Sequence, residues 1–322
     1  MSFFKLFNKV DGFNVLKQYG RGHVLLYALT MTAFLGIDKK SLEIMRLSVN
    51  NKLLKKLRKK YRKNIAEFVE KNPYIEQEHD IQNNISSNKV WVCWFQGIEN
   101  APLIVRRCME SIKKNMVGKE VIIISDDNWR EYVDFPDYIL EKVDNGIISR
   151  THFSDLLRLE LLLKYGGTWV DATVLCTGKI PEYMTDSELF LFQNLKPGID
   201  GQCTCISNWF ITAQKNNIIL KLTLELLYRY WRDYSNIIDY YIFHDMFQLA
   251  IEAYPNLWNK VAPFNNSTPH ILLLRLFENY DIEMWKIIKE QTPIHKLTYK
   301  FSENQVSING TYYSVIIGQN RY

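Results

Sequence analysis

The chain has 322 residues, of which 47% are apolar and 23% are charged. These fractions are ordinary for globular proteins, so they exclude a chain too polar to build a sizeable core. The net charge of +5 is unevenly placed: residues 1–88 hold 16 Lys and Arg against 8 Asp and Glu, and the remainder holds 24 against 27. The length allows one large domain, or one domain with a basic N-terminal appendage.

Cysteine is present at five positions, an odd number with irregular spacing. No Cys-x-x-Cys pair or His/Cys cluster indicates structural zinc, and Cys203 with Cys205 lacks two further ligands. Reduced thiols in a cytoplasmic protein are the simplest interpretation, and the first residues do not follow the basic-apolar-small order of a secretory signal. The sequence therefore predicts a cytoplasmic location. The five are Cys93, Cys108, Cys176, Cys203 and Cys205.

Residues 1–88 are predicted to form a helical region separate from the rest of the chain. Over 41–69, apolar residues recur mostly at spacings of three or four, as in an amphipathic helix. The most apolar stretch nearby, 23–37, is about 15 residues long, whereas a membrane-spanning helix needs about 20. We expect a buried or interfacial helix there, with a true span as the alternative.

The middle of the 41–69 helix is strongly basic, with eight Lys or Arg among the fourteen residues 51–64. Anionic lipid attracts such a face by about 1 kcal/mol per Lys or Arg near the surface. We therefore predict peripheral contact between residues 51–63 and the inner face of the plasma membrane, with a solvated helix face as the alternative. Nucleic acid is not expected as a partner, because no recognition motif or stacking aromatic platform accompanies the charges.

Polar, breaker-rich residues around Asn72-Pro73 and 82–88 predict a domain boundary, followed by an α/β domain over 89–322. In that domain, β-rich runs alternate with helical patterns, and continuous apolar runs such as Glu120–Ile124 indicate parallel strands covered on both faces. The predicted strands are 89–95, 120–124, 168–175, 189–193 and 209–212. The predicted helices are 102–116, 154–165, 218–232, 239–253 and 271–278.

Two common phosphate-binding motifs are missing, since the sequence has no Gly-x-Gly-x-x-Gly and no Walker-type loop. The sequence therefore does not favour a dinucleotide-binding protein or a P-loop phosphate-binding protein. Polar residues do follow the predicted strands, as in Gln96-Gly97 and Ser125-Asp126-Asp127. The carboxyl ends of strands are where parallel sheets bind ligands.

The helix predicted over Ser154–Tyr165 carries charged side chains in a leucine-rich sequence. Ser154 is its candidate N-cap, and Gly166 is its candidate C-terminal stop. Asp155 and Arg158 are three residues apart and therefore point in similar directions. Either they form a local ion pair that seals the helix end, or they belong to a functional site.

The pair Gly166-Gly167 permits a tight turn with unusual backbone angles. The strand predicted after it, 168–175, places Asp171 and Thr173 on one face. A carboxylate inside an apolar strand is costly unless it is paired or binds a metal. Two oxygen-bearing side chains that face the same way suit Mg²⁺ or Mn²⁺ held jointly with phosphate oxygens. Such an ion would stabilise a departing nucleoside diphosphate.

Together these residues resemble a known family. The series Ser154-Asp155-x-x-Arg158, Gly166-Gly167-x-Trp169-x-Asp171-x-Thr173 is similar to the capsular polysaccharide synthesis proteins, bacterial relatives of glycosyltransferase family 32 with an Asp-x-Asp motif. The turn Trp94-Phe95-Gln96-Gly97 resembles the family's Trp-x-x-Gly turn, which receives the nucleotide base. Residues 207–210 and 295–300 resemble later family segments, so the resemblance covers about 89–300. It implies a GT-A-type fold, a Rossmann-like mixed sheet flanked by helices, here with a helical N-terminal extension.

The resemblance also implies a role for each matching residue. Asp155 would contact the donor ribose or sugar, Arg158 would hold the donor sugar or its phosphate, and Asp171 would be the first acid of the Asp-x-Asp pair. These three are the candidate catalytic residues. The implied donor-binding set is Trp94, Gln96, Gly97, Asp155, Arg158, Gly166, Gly167, Trp169 and Asn208.

Thr173 departs from the pattern, because the broader family has its second acid there. A hydroxyl is a weaker metal ligand than a carboxylate. Either another residue completes the Mn²⁺ or Mg²⁺ site, or the diphosphate holds the ion, or metal dependence is weak. The predicted ligands are Asp171, Thr173 and His295. Further candidates are His244 and Asp245, for which a buried, hydrogen-bonded pair is the alternative.

The predicted function is transfer of a sugar from a nucleotide-sugar donor to a saccharide acceptor, expected to be lipid-linked, in capsule, exopolysaccharide or other surface-glycan synthesis. The resemblance to family 32 implies retention of the anomeric configuration. The alternative, which Thr173 keeps open, is a non-catalytic nucleotide-sugar-binding or scaffold protein on a degenerate transferase fold.

Overall fold

A computed structural model describes residues 12–73, 87–194 and 204–322 of the chain, so Cys203 lies outside the described residues. The helices are α1 (Gly12–Arg21), α2 (Leu25–Leu35), α3 (Lys39–Lys71), α4 (Leu103–Asn115), α5 (Asp137–Asp144), α6 (Arg150–Tyr165), α7 (Glu182–Thr185), α8 (Ile218–Asp233), α9 (Ile242–Ala253), α10 (Pro255–Trp258), α11 (Ile271–Arg275), α12 (Ile282–Gln291) and α13 (Glu303–Val306). The strands are β1 (Lys89–Cys93), β2 (Glu120–Ile124), β3 (Gly167–Val170), β4 (Val174–Cys176), β5 (Leu189–Gln193), β6 (Ile206–Ala213), β7 (Phe264–Asn265) and β8 (Ile294–Lys296).

Six strands form one mixed sheet in the order β2-β1-β3-β6-β5-β7. β1 runs parallel to β2 and β3, whereas β6 runs antiparallel to both β3 and β5. The predicted Rossmann-like mixed sheet flanked by helices, with a helical N-terminal region, is confirmed. The indication of parallel strands is wrong for β6, because a strand buried on both faces shows the same continuous apolar pattern whichever way it runs.

Side chains alternate between the two faces of the sheet and fill two apolar cores. Trp91 and Trp169 are register partners across β1 and β3, and both lie in the core shared with α3, α6, α8 and α9. Val90 and Val170 lie in the opposite core, which α4 and the separate β4–β8 pair cover. β3 is consequently buried at every position, and the chain leaves its carboxyl end at the edge where the candidate site lies.

Helix α3 confirms the amphipathic helix predicted over 41–69 and extends it at both ends. The Asp38 side chain caps it by accepting from the backbone amides of Lys40 and Ser41 at 3.0 and 3.1 Å. Leu54, Leu57 and other apolar residues of α3 are buried in the same core as α8 and α9. The predicted boundary near residue 88 stays a prediction.

Helix α2 lies within the apolar segment 23–37, and most of its surface is open to solvent. Among its residues, only Ala28 is buried, whereas Leu26, Leu29 and Phe34 are 79%, 54% and 84% exposed. A buried helix is therefore wrong for this segment, because α2 packs on α1 and α3 but keeps ten of its eleven residues at least partly exposed. Within the described parts of the chain, no helix combines the length and the apolar character needed to cross a membrane.

The strand predicted over 168–175 is interrupted by a turn. β3 ends at Val170, the Val174 amide donates to the Asp171 carbonyl over 3.0 Å, and β4 then pairs with β8 outside the main sheet. The prediction of one continuous strand is wrong, because the local pattern does not distinguish it from two short strands in different sheets. Asp171 and Thr173 therefore approach each other across a turn and not along one strand face.

The helix predicted over 154–165 begins earlier, at Arg150. The Ser149 side chain is its N-cap and accepts from the His152 backbone amide over 3.4 Å, so Ser154 is not the cap. Asp155 consequently lies in the second turn. Gly166 ends the helix with a φ of +68°, as predicted.

Candidate functional site

Two adjoining cavities, of about 460 and 510 Å³, lie at the carboxyl ends of β1 and β3. The first is lined by Trp94, Gln96 and Tyr299, among others, and the second by Asn208 and His244, among others. The side chains that line both are Thr151, Arg158, Asp171, Tyr240, His270 and Lys296. Open α/β sheets bind ligands at the carboxyl ends of their strands, so both cavities occupy the expected place.

Arg158 is 4% exposed and connects several of the predicted residues. Its Nη2 lies 3.2 Å from Asp155 Oδ1 and 3.8 Å from Asp171 Oδ1. Its Nη1 donates to the Asn208 carbonyl, and its guanidinium lies over the Trp169 ring at 4.9 Å from the centroid. A buried guanidinium needs such partners. The predicted Asp155–Arg158 pair is therefore present, and Arg158 extends it to Asp171.

Asp155 is held from three sides within the second cavity. The Asn208 side-chain amide donates to its Oδ1 over 2.9 Å, and His152 Nδ1 lies 3.5 Å from its Oδ2. Arg158 is the third partner, so the orientation of this carboxylate, which is only 6% exposed, is fixed. The prediction that Asn208 belongs to the site agrees with this placement.

Asp171 occupies the turn between β3 and β4. Its Oδ1 accepts from Trp169 Nε1 over 3.0 Å, and its backbone amide donates to the Trp209 carbonyl over 2.8 Å. Burial acts to raise the pKa of Asp171, but the charges of Lys296 and Arg158 outweigh it, and the pKa lies below its usual value. Asp171 is therefore a charged carboxylate at neutral pH, and a weak base.

Lys296, from β8, is a site residue that the sequence analysis did not single out. Its Nζ donates to Asp171 Oδ2 over 2.8 Å and to Thr173 Oγ1 over 2.6 Å. The two residues predicted to hold a metal thus share one ammonium group. Its position in the 295–300 segment, which resembles the family, could have identified it from the sequence. Nothing in the linear sequence pairs it with Asp171, which is 125 positions earlier.

The Trp94-Phe95-Gln96-Gly97 turn lies directly after β1, as the resemblance implies. Trp94 meets Tyr299 edge to face at 5.1 Å, and its Nε1 is buried without a hydrogen-bond partner among the described residues. Gln96 is exposed at the mouth of the first cavity, and Gly97 has a φ of +77°. This wall offers aromatic faces to a ligand.

Gly166 and Gly167 shape the site without lining either cavity. Gly167 has a φ of +99°, and a Cβ there would lie 2.2 Å from the Lys89 carbonyl oxygen. The Gly166 carbonyl accepts from Trp91 Nε1 over 3.0 Å. The glycine pair therefore permits the close approach of β3 to β1, which brings Asp171 beside the turn after β1.

The charges of the two cavities differ. Among the described residues, four cationic side chains and one carboxylate, Asp171, line the first cavity; the cations are Arg150, Arg158, Lys296 and Lys300. The second cavity has three carboxylates, three cationic side chains and several side-chain amides; these are Asp155, Asp171, Asp245, Arg46, Arg158, Lys296, Asn50, Asn194, Asn208 and Asn266. The first cavity therefore favours an anionic ligand, and the second suits hydroxyl groups that need both donors and acceptors.

His244 and Asp245 line the second cavity, and no hydrogen bond joins their side chains. His244 Nδ1 and Asp245 Oδ2 are buried without hydrogen-bond partners among the described residues. Burial lowers the pKa of His244 to about 4, whereas burial together with the nearby Asp239 raises the pKa of Asp245 well above its usual value. Both groups are therefore biased toward their neutral forms, and the predicted alternative of a hydrogen-bonded pair does not describe them.

A family model identifies the family to which this chain belongs. Residues 36–316 match the family model for the capsular polysaccharide synthesis protein. This chain belongs to the capsular polysaccharide synthesis protein family. The match begins within the N-terminal helical region and includes α3, all eight strands and both cavities.

Curated relatives of this chain carry glycosyltransferase names. It is 28% identical over 170 residues to the O-glycosyltransferase braB of Annulohypoxylon truncatum, covering 47% of this chain and 39% of the relative. It is 23% identical over 195 residues to the glycosyltransferase afumC of Aspergillus fumigatus, covering 55% and 49%. The chain thus spans about two fifths to one half of the length of these relatives. A solved structure, the PaToxG glycosyltransferase, aligns over 85% of this chain and 98% of its own, with 16% identity and a TM-score of 0.40.

His295, predicted to complete a metal site, lies outside both cavities. It is fully buried, its Nε2 bonds to Thr177 Oγ1 at 3.0 Å, and its ring lies 5.6 Å from that of Trp285. Neighbouring residues of a strand point to opposite faces, so Lys296 faces Asp171 and His295 faces away. Burial lowers the pKa of His295 to about 3.

A divalent cation fits this arrangement of side chains poorly. Mg²⁺ and Mn²⁺ prefer several oxygen ligands, but Asp171 and Thr173 already accept from the Lys296 ammonium, and Arg158 lies close by. Across the described ranges, no three His, Cys, Asp or Glu side chains are grouped so as to hold a metal ion. The predicted Mn²⁺ or Mg²⁺ stays a prediction, and this donor set does not support it.

Proposed function

We propose that this chain transfers a sugar from a nucleotide-sugar donor to a saccharide acceptor. The observation that carries the proposal is the first cavity, which is lined by four cationic side chains, a single carboxylate and the aromatic pair of Trp94 and Tyr299. Cationic side chains recognise a diphosphate, and aromatic faces stack on a base or a sugar. The volume of about 460 Å³ lies within the range of small-molecule sites.

The donor sugar would lie at the junction of the two cavities, near Asp155, Arg158 and Asp171. These side chains offer fixed acceptors and donors to sugar hydroxyls, and Arg158 also reaches toward the developing charge of the leaving diphosphate. The second cavity, rich in amides and carboxylates, would take the acceptor. Transfer would then occur where both cavities meet.

Transfer with retention of configuration is part of the proposal. A general base works best with a pKa near the operating pH, and the pKa of Asp171 is lowered, which makes this carboxylate a weak base. Asp155 Oδ1 accepts from Asn208 and lies 3.2 Å from Arg158 Nη2, so this carboxylate is already paired with a cation. The anomeric configuration of the product, read by NMR, tests this: an inverted product would contradict it.

The family description, which concerns capsular polysaccharide synthesis, supports a proposal for the acceptor. We propose a saccharide acceptor, lipid-linked at the cytoplasmic face of the plasma membrane, in the synthesis of capsule or another surface glycan. Peripheral contact with that membrane would involve the exposed cations of α3. Lys55, Lys59, Arg62 and Lys63 are exposed and follow one another at helical spacing, and no described residue pairs with them.

A second candidate function is nucleotide-sugar binding without transfer. Thr173 favours it, because this hydroxyl stands where the broader family has its second acid. Calorimetry with a panel of nucleotide sugars separates the two functions. Binding without turnover toward any acceptor pool supports the scaffold, whereas hydrolysis or transfer supports the enzyme.

The central experiment incubates the purified protein with UDP- and GDP-sugars and identifies products by mass spectrometry. Asp171→Asn is expected to lower the rate by about 10²-fold or more, since it removes a charge at the junction of the cavities. The matched control is Asp144→Asn, an exposed position on α5, which should keep the wild-type rate. Full activity in Asp171→Asn, with thermal unfolding unchanged, would reject the assignment.

A further inference from the structure

We propose that the ammonium group of Lys296 stands where a metal-dependent relative would hold its divalent cation, so that donor binding by this chain requires no Mn²⁺ or Mg²⁺. This inference rests on the proposed function, in which a nucleoside diphosphate occupies the first cavity. It assigns Lys296 to the diphosphate as a binding residue in its own right.

Lys296 contacts both of the side chains in question. Its Nζ lies 2.8 Å from Asp171 Oδ2 and 2.6 Å from Thr173 Oγ1, the two side chains that the Asp-x-Asp resemblance would give to a metal. A cation is therefore already bound between them, supplied by the chain itself. Thr173 suits this cation well, since a hydroxyl accepts readily from an ammonium but is a weak ligand for Mg²⁺ or Mn²⁺.

The backbone holds Lys296 in this place. β8 pairs antiparallel with β4, which puts Lys296 opposite Val174, the first residue after the turn. The Leu297 amide then donates to the Thr173 carbonyl over 2.9 Å. The β4–β8 pairing and the Leu297 hydrogen bond thus hold the backbone of Lys296 beside the turn, and its ammonium group lies within reach of Asp171 and Thr173. Its side chain is 17% exposed, so solvent screens it weakly.

The remaining donor capacity of Lys296 is directed to the cavities. A lysine ammonium carries three N–H donors, and two of them serve Asp171 and Thr173. The third has no partner among the described residues, and Lys296 lines both cavities. A phosphate oxygen at the junction would accept this bond and gain a charge-assisted contact.

Electrostatic repulsion disfavours a divalent cation at this place. A divalent cation between Asp171 and Thr173 would lie beside the Lys296 ammonium and near the Arg158 guanidinium, which is 3.8 Å from Asp171. Like charges at such distances repel strongly in a partly buried site. While the Lys296 ammonium stays in place, a divalent cation has to compete with it for the same oxygens. A single carboxylate also supplies too few ligands for such an ion.

The test measures UDP and GDP binding by calorimetry, with EDTA and then with Mn²⁺. For the wild type we expect the Kd of the nucleotide that binds to differ by less than about twofold between the two conditions. Lys296→Met keeps the apolar stem and removes the charge, and it should weaken binding about 20-fold or more, as expected for loss of a charge-assisted contact. Lys296→Arg keeps the charge and should recover part of the affinity.

The matched control is Lys286→Met, which removes an exposed lysine paired with Glu283 on α12 and should bind like the wild type. Circular dichroism checks that each variant is folded. Binding that needs Mn²⁺, or that Lys296→Met leaves unchanged, overturns the inference and leaves the proposed function standing. Binding in EDTA without turnover of any sugar nucleotide supports the role of Lys296 and rejects the transferase. Absence of UDP and GDP binding in both conditions overturns both.

Discussion

The side-chain amide of Asn208 donates to Asp155 Oδ1 over 2.9 Å and thereby ties strand β6 to helix α6. Arg158 binds both partners, since it lies 3.2 Å from Asp155 and donates to the Asn208 carbonyl. The three residues therefore form one connected polar cluster, in which Arg158 lines both cavities and Asp155 and Asn208 line the second.

Asn208→Ala removes one donor from a carboxylate that is 6% exposed. We expect the free energy of unfolding to fall by about 1–3 kcal/mol, the cost of leaving a buried group short of a partner. Urea denaturation at neutral pH measures it. The control is Asn145→Ala, whose exposed side chain bonds only to the Glu141 carbonyl and should cost less than about 0.5 kcal/mol. Equal losses in the two variants would contradict the role of Asn208.

Gly167→Ala is expected to separate β1 from β3. Its methyl group would lie 2.2 Å from the Lys89 carbonyl oxygen, at a φ of +99° that side chains rarely adopt. The control, Gly146→Ala, also has a positive φ of +69° but meets nothing within 4 Å, so it reports the backbone cost alone, about 1–2 kcal/mol. Thermal unfolding should show the larger loss in Gly167→Ala, and a loss no greater than that of Gly146→Ala would refute the clash.

Stability should fall as the pH is lowered from about 6.5, partly because of His295. Burial lowers the pKa of His295 to about 3 in the folded chain, whereas an unfolded histidine titrates near 6.5. Between these values the unfolded state binds the additional proton, so stability rises with pH across this window and is lost as the pH falls.

The slope of unfolding free energy against pH measures this effect. One such histidine contributes up to about 1.4 kcal/mol per pH unit. His295→Gln should remove that contribution, so its slope between pH 5 and 6 should be smaller than that of the wild type by about this amount. A vertical offset with an unchanged slope would show that His295 does not carry the effect.

Replacing Lys55, Lys59 and Arg62 together by Gln should weaken binding to vesicles that contain anionic lipid. At about 1 kcal/mol for each cation near the surface, the partition constant should fall by roughly 10²-fold. Sedimentation with phosphatidylserine vesicles measures it, and donor hydrolysis should persist because these residues line neither cavity.

A control for charge alone replaces Lys113, Lys179 and Lys286, three exposed lysines outside α3, by Gln. If both triple variants lose vesicle binding equally, net charge and not the face of α3 is responsible. The exposed apolar side of α2 offers an independent check. Phe34→Ser should weaken binding to neutral vesicles if that side also enters the lipid surface, because Phe34 is 84% exposed.

Local sequence pattern was sufficient for most of the helices and strands. The apolar spacing of α3, the run of β2 and the Gly166 stop of α6 are properties of neighbouring residues, so short-range chemistry decides them. The family motif likewise identified Asp155, Arg158 and Asp171 by their fixed spacing. The pattern failed at the 168–175 strand, because its split into β3 and β4 depends on which sheet each half joins.

Lys296 and His295 show what only the tertiary structure decided. In the sequence they are adjacent, and the histidine has the familiar chemistry of a metal ligand. The pairing of β8 with β4 turns His295 into the core and Lys296 toward Asp171. A strand sends successive side chains to opposite faces, and which face meets the site depends on contacts between segments more than a hundred residues apart. The sequence thus determined where the acid lies along the chain, and the fold determined which cation it holds.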